Sequence, residues 1–154
     1  MVMERKILFA GTFDPFTKGH DALVQRALVM FDKVIVAVGC NMGKNCMFTI
    51  EERVGKIREL YAGDDRIEVL AYDGLTMDLV RETGAVALLR GVRSVRDFEY
   101  ERDIADVNYR IGGIETVLLM SEPEYSSLSS SMVRELMNYG KDVSSLLPIK
   151  RKGL

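Results

Sequence analysis

The sequence predicts an α/β fold: a single domain with a doubly wound, five-stranded parallel sheet and helices on both faces. Three observations carry that expectation. Strand-like apolar segments alternate five times with segments whose apolar residues recur at helical spacing. Val34–Val38 is a continuous, largely β-branched run, the mark of a strand covered on both faces. The 154 residues, 47% of them hydrophobic, suffice for one sizeable core. No repeat, low-complexity stretch or linker divides them, so one domain is expected over 1–154.

The elements follow in order. Lys6–Gly11 reads as the first strand, ending in glycine. Leu23, Val24, Ala27, Leu28 and Phe31 then mark the apolar face of a helix over roughly Gly19–Phe31. Val34–Val38 is the second strand. Thr49-Ile-Glu-Glu52 has the capping-box spacing, and the helix it opens presents Val54, Ile57, Leu60 and Tyr61. Arg66–Ala71 is the third strand. A short helix, Thr76–Thr83, stops at Gly84. Ala85–Arg90 is the fourth strand. Asp97 is placed as the cap of a helix reaching about Ile111, ended by Gly112-Gly113. Glu115–Met120 is the fifth strand. Ser129 or Ser130 opens the last main helix, which ends at Gly140. A short C-terminal helix follows from about residue 141, then a basic end, Lys150-Arg151-Lys152, read as a solvated tail.

Composition excludes several classes. The net charge of -2 argues against a basic nucleic-acid coat and against an acidic disordered tail. The apolar runs fall far short of the ~20 residues of a membrane span. No leader-like segment precedes the first strand, so a cytoplasmic location is expected, with no membrane and no nucleic-acid partner. Cys40 and Cys46, without a second pair or a nearby histidine, read as free thiols rather than a zinc site.

In such a sheet, ligands bind at the carboxyl ends of the strands, beside the point where strand order reverses. The loops there hold the candidate chemistry. Gly11–His20 is not a dinucleotide fingerprint, yet it places His20 in the first turn of a helix. Backbone N–H groups favour an anion there, and an imidazole can donate to a phosphoryl oxygen as charge builds up. A packed or capping histidine is the plain alternative. Gly39–Asn45 resembles a P-loop, but its glycines are too close and Asn45 stands where Ser or Thr would bind Mg²⁺. Lys44 can still meet a phosphate as a mobile point charge. Tyr72–Thr76 reads as ordinary turn chemistry. Arg90, Arg93 and Arg96 cluster around Gly91, and arginine forks suit phosphate. Glu122–Ser131 offers hydroxyls at a helix start, as caps or as ligands of a triphosphate. Glu99, Glu101, Asp103 and Asp106 read by default as a solvated acidic face.

Together these residues resemble a known family. Gly-Thr-Phe-Asp-Pro-x-Thr-x-Gly-His (Gly11–His20) is similar to the first signature of nucleotidyltransferases with a (His/Thr)-x-Gly-His motif. Leu128-Ser-Ser-Ser-x-x-Arg134 resembles their second. Lys44, Met47-Phe-Thr-x-Glu-Glu-Arg53, Arg90-Gly-Val-Arg93, Asp97-Phe-Glu-Tyr-Glu101 and Asn108 resemble the bacterial phosphopantetheine adenylyltransferases, over residues 6–148. The resemblance implies a Rossmann-like fold. It also implies transfer of an adenylyl group from ATP to 4′-phosphopantetheine, giving dephospho-coenzyme A and pyrophosphate. Thr12 would contact both substrates, and His20 would bind ATP and stabilise the transition state. Phe13, Gly91, Val92, Arg93, Glu101, Tyr125, Ser126, Ser127, Leu128, Ser129, Ser130 and Ser131 would line the ATP site. Lys44, Thr76 and Arg90 would line the phosphopantetheine site. Tyr125 departs from the family pattern, where an indole is common, and Asn45 stands where a second basic residue can follow Lys44. The attacking phosphate oxygen is already anionic, so no general base is required. No carboxylate cluster for a metal is evident, and Mg²⁺ is expected on the β,γ-phosphates of ATP. The resemblance further implies a homohexamer and feedback by coenzyme A. Two alternatives stay open: another adenylyl- or cytidylyltransferase of the superfamily, and a nucleotide-sensing protein without turnover.

Overall fold

The structure, a computed structural model, describes residues 2–40 and 45–152. Lys44 therefore lies outside the described residues. Five strands form one parallel sheet: β1 (Lys6–Gly11), β2 (Lys33–Gly39), β3 (Ile67–Tyr72), β4 (Ala87–Val92) and β5 (Glu115–Met120). Their spatial order is β3-β2-β1-β4-β5, so the chain reverses direction of winding between β1 and β4.

The period of two along each strand sorts the core into two layers. Ile7, Phe9, Val34, Val36, Val38 and Leu89 point to one face. There they meet Leu23, Val24 and Ala27 of α1 (Lys18–Met30) and Val54, Ile57 and Leu60 of α2 (Ile50–Leu60). Leu8, Ala10, Ile35, Ala37 and Leu88 point to the other face, against Val80 of α3 (Thr76–Thr83) and Ile114. Helix α4 (Val95–Gly112) leads from β4 into β5, and α5 (Ser130–Asn138) packs through Val133 in a third cluster with Leu128 and Val143. Short 3-10 turns cover Pro123–Tyr125 and Ser144–Leu146.

Local chemistry explains most boundaries. Thr49 and Glu52 close the expected capping box at α2. Gly84 and Gly113 end α3 and α4 with φ of 74° and 66°, where a Cβ would be strained. Three expectations are corrected. Strand β4 starts at Ala87, because the Ala85 N–H closes the end of α3 on Val80 O; it runs on through Gly91 and Val92 by pairing with Leu119 and Met120. Helix α4 is capped by Ser94, whose hydroxyl accepts from the Asp97 N–H; Asp97 reaches back to the Arg93 N–H instead. The basic end is not wholly solvated. Arg151 makes two hydrogen bonds to the buried Asp21 (2.9 and 3.2 Å), which also accepts from Tyr61 Oη at 2.7 Å. Burial and the adjacent Asp21 charge push the Tyr61 phenol up, so it stays a donor to that carboxylate.

Candidate active site

A cleft of about 320 Å³ opens at the carboxyl ends of β1 and β4, where the winding reverses. Its floor is the loop after β1. This loop is anchored from several sides. Asp14 is 2% exposed, and its carboxylate accepts from the Met47 and Phe48 N–H groups (2.8 and 2.9 Å). Arg134 donates to the Asp14 carbonyl at 2.7 Å, and Ser130 to the Pro15 carbonyl at 2.8 Å. Phe13 takes a φ of 50°, a left-handed value that costs a non-glycine residue about 1 kcal/mol or more. Its ring packs edge-on between Phe9 and Phe16, both 5.1 Å away. Gly11 lies beneath that ring, and a Cβ there would come within 2.9 Å of it.

His20 sits at the third position of α1, its ring 5.1 Å from Phe13 and 5.2 Å from Phe16. Thr17 caps the helix, and its backbone N–H donates to His20 Nδ1 at 2.9 Å. An atom accepting a hydrogen bond from an amide carries no proton, so the neutral ring carries its proton on Nε2. Burial, then the positive charges of Arg93 and Arg90, lower the His20 pKa from 6.5 to about 4. At neutral pH the cleft thus contains an uncharged imidazole with Nδ1 fixed and Nε2–H unclaimed among the described residues.

The end of β4 splits its residues between the two faces. Gly91 follows Leu89 toward α1, where a Cβ would come within 2.5 Å of Leu23 Cδ1 and that methyl would have to shift. Arg90 follows Leu88 to the opposite face. There it makes a forked ion pair with the buried Glu101 of α4 (2.8 and 2.9 Å) and donates to Ala10 O at 2.8 Å. Glu101 holds the guanidinium more firmly in its charged form. Those bonds use three of the five N–H donors, leaving one on each Nη. Arg93 reaches across to the Leu128 carbonyl and pairs with Asp97 at 3.4 Å.

The structure brings most sequence-derived site residues together. Thr12, Phe13, His20, Arg90, Gly91, Arg93, Glu101, Tyr125, Leu128, Ser129, Ser130 and Ser131 all line the cleft. Val92, Ser126, Ser127 and Thr76 do not. Val92 is buried in the strand, Ser126 and Ser127 are exposed, and the Thr76 hydroxyl lies 3.0 Å from Tyr72 Oη at the start of α3. Glu101 is not part of a solvated acidic face; it is buried. Apart from glycines, three lining residues lie within the quoted motifs without an assigned role: Asp14, Thr17 and Arg134. A carboxylate among Phe13, Pro15 and Phe16, and an arginine one turn beyond a serine cluster, were the available signals. Among the described residues no three metal-ligating side chains cluster. Each Asp14 oxygen accepts one backbone N–H, which ties the carboxylate to the start of the segment before α2.

Comparison with known proteins agrees with the geometry. The profile of the cytidylyltransferase-like family matches residues 8–136. A phosphopantetheine adenylyltransferase from Bacteroides thetaiotaomicron is 50% identical over 144 residues, 94% of this chain and 95% of its own. One from Porphyromonas gingivalis is 53% identical over 141 residues, 92% of each chain. The crystal structure of a bifunctional NMN adenylyltransferase/ADP ribose pyrophosphatase from Francisella tularensis, complexed with AMP and manganese, superimposes with a TM-score of 0.69. At 16% identity, covering 94% of this chain and 44% of that one, it speaks for the fold alone. The Rossmann-like expectation is thereby met. A family profile across most of the sequence, and relatives half identical over more than nine-tenths of it, settle the classification: the chain belongs to the phosphopantetheine adenylyltransferases.

Proposed function

We propose that the cleft transfers the adenylyl group of ATP to 4′-phosphopantetheine, releasing pyrophosphate and forming dephospho-coenzyme A. The observation that carries this reading is the neutral, Nε2-protonated His20 at a helix N-terminus beside Arg90 and Arg93. An oxygen of the acceptor's phosphate attacks the α-phosphorus. The bond from that phosphorus to the β-bridging oxygen breaks, and pyrophosphate leaves with the electron pair. The nucleophile is already ionised, so the work is alignment and stabilisation of charge on the α-phosphoryl oxygens. His20 Nε2–H is suited to that stabilisation.

In this reading Phe13, His20, Gly91, Arg93, Glu101, Tyr125 and Leu128–Ser131 serve ATP, Thr12 touches both substrates, and Lys44 and Arg90 serve the acceptor, with Thr76 at the edge of that side. The two faces of the sheet support part of that division: Gly91 and His20 lie on the α1 side, whereas Arg90 lies on the side of α3 and Thr76, with Glu101 paired to it there. ATP enters as its magnesium complex, the metal riding on the β,γ-phosphates as part of the substrate. Pyrophosphate release, assayed with ATP and each candidate acceptor, tests the assignment. Turnover is expected with 4′-phosphopantetheine and little with nicotinate mononucleotide; comparable turnover with the mononucleotide overturns it.

We further propose a cytoplasmic homohexamer that takes coenzyme A as a feedback ligand. No helix among the described residues is long and apolar enough to cross a membrane. Helix α4 exposes Val95, Phe98, Tyr100, Val107, Tyr109 and Ile111, an apolar set that association would cover. Light scattering is expected to give six chain masses, and a monomer mass at working concentration contradicts the hexamer.

A further inference from the structure

Arg53 is buried, lies outside the cleft, and spends its hydrogen bonds on carbonyls. Nη1 donates to Thr12 O at 2.6 Å and Gly39 O at 3.1 Å, and Nε donates to Phe48 O at 3.1 Å. It thereby joins the loop after β1, the end of β2 and the approach to α2 from behind the site. On that side it lines a small apolar pocket with Phe13, Phe16 and Ile57, whereas Thr12 and Phe13 line the cleft. Burying a guanidinium is unfavourable unless its donors are satisfied, so an apolar residue would be the cheaper filling here. What the charge secures is the direction of one peptide group. In a trans peptide the carbonyl and the next N–H point opposite ways. With the Thr12 carbonyl held on Arg53, the Phe13 N–H is turned away from α2, and it has no partner among the described residues.

We propose that Arg53 is a positioning residue for adenylyl transfer: by holding the Thr12 carbonyl from behind, it presents the Phe13 N–H to the α-phosphoryl oxygens as a fixed donor beside His20. This rests on the reaction proposed above. Phe13 itself is in a left-handed conformation, so the peptide would relax if its carbonyl were released. Alignment of a donor matters most where charge develops, and a displacement of about 1 Å can cost on the order of 10²-fold in rate. The side chain must be arginine to span these acceptors, since a lysine ammonium cannot place donors along both edges of a planar fork.

Arg53→Lys is the first variant. Its kcat should fall by about 10- to 100-fold, with KM for ATP and for 4′-phosphopantetheine within threefold of the parent and the melting temperature little changed. A folded Arg53→Lys protein with kcat within threefold of the parent, or a loss found wholly in KM, overturns the proposal. Arg53→Gln, which keeps an NH₂ donor without the charge, is read the same way should lysine unfold the chain. The unmutated protein supplies an independent readout. The Phe13 amide resonance should shift on titration with α,β-methylene-ATP, and an unmoved resonance overturns the donor role. A parent enzyme that shows this shift yet releases no pyrophosphate with 4′-phosphopantetheine would refute the acceptor and leave the peptide's orientation standing.

Discussion

The two loops that border the side of the cleft proposed for ATP are held in different ways. In the loop after β1, Phe13, Asp14, Phe16 and Thr17 are buried, and its carbonyls and carboxylate are bound by Arg53, Arg134, Ser130 and the Met47 and Phe48 amides. In the loop after β5 only Leu128 is buried between Pro123 and Leu128. Its hydrogen bonds are largely local turns: Tyr125 N–H to Glu122 O, Leu128 N–H to Tyr125 O, Ser126 Oγ to Pro123 O. The first loop carries the groups that would act on developing charge, and preorganisation is what such groups require. The second would cover a nucleotide, a task that tolerates local adjustment. If that contrast is functional, substitutions in the first loop should act on kcat and those in the second on KM.

His20→Ala gives the largest expected effect. Removal of a preorganised donor costs about 10²–10³ in kcat, and ATP affinity should stay within tenfold. A folded variant with near-normal kcat would reduce His20 to a packed or capping residue. Melts and kinetics on the same preparation separate the two, because a purely packing role lowers stability and spares turnover.

The same residue predicts a pH effect of comparable size. Its folded pKa of about 4 lies below the ordinary 6.5, so the unfolded chain binds the proton first on acidification. The contribution of neutral His20 to stability is complete above pH 6.5 and is lost as pH falls toward 4. The full loss is worth about 3 kcal/mol. Urea unfolding of the parent and of His20→Gln, compared from pH 7 to 4, should show the parent losing that much more. Parallel curves would mean that the ring is not desolvated. Bound ATP should move the pKa of His20 upward, since phosphates favour the imidazolium.

Arg90 tests the other border of the cleft. Arg90→Ala should raise the acceptor KM by about 10- to 100-fold, the cost of a charge-assisted contact, with the KM for ATP little changed. It also leaves Glu101 buried without its partner, which destabilises the fold. Adding Glu101→Gln should restore the melting temperature without restoring the acceptor KM. An effect confined to ATP would place the guanidinium in the other half of the site.

Sequence reading found the strands, the capping box at Thr49 and the loop after β1 because their signals are local. Periodicity, Thr49 three residues before Glu52, and Gly84 after a helical face each lie within a turn of the element they define. It missed what depends on distant partners. Arg53 meets Thr12 across 41 residues, and Arg151 meets Asp21 across 130, so neither leaves a periodic trace. Arg90 and Glu101 were assigned to different substrates, and only the fold shows that each holds the other. Asp97 and Ser94 are both good caps; the hydroxyl three residues upstream takes the amide, and the carboxylate turns back to Arg93.

The smallest expected effect is in the loop after β5, and it bears most directly on the contrast between the loops. Ser126 and Ser127 were read with Ser129–Ser131 as one hydroxyl-rich nucleotide segment. The structure divides them. Ser129 caps α5 by accepting from the Met132 N–H at 3.1 Å, and Ser129–Ser131 line the cleft. Ser126 and Ser127 face outward, and the Ser126 hydroxyl is turned to its own loop at Pro123 O. Replacing both with alanine removes one local bond from an exposed turn, a change on the order of 0.5 kcal/mol. The KM for ATP should therefore rise no more than about threefold, with kcat unchanged. Ser129→Ala removes a helix cap at the cleft itself, worth about 1 kcal/mol, and should exceed the double variant in both melting and KM. A double variant whose KM for ATP rises tenfold or more would show that this loop folds over the nucleotide and brings those hydroxyls inward. A fall in kcat would go further and remove the division of labour between the two loops.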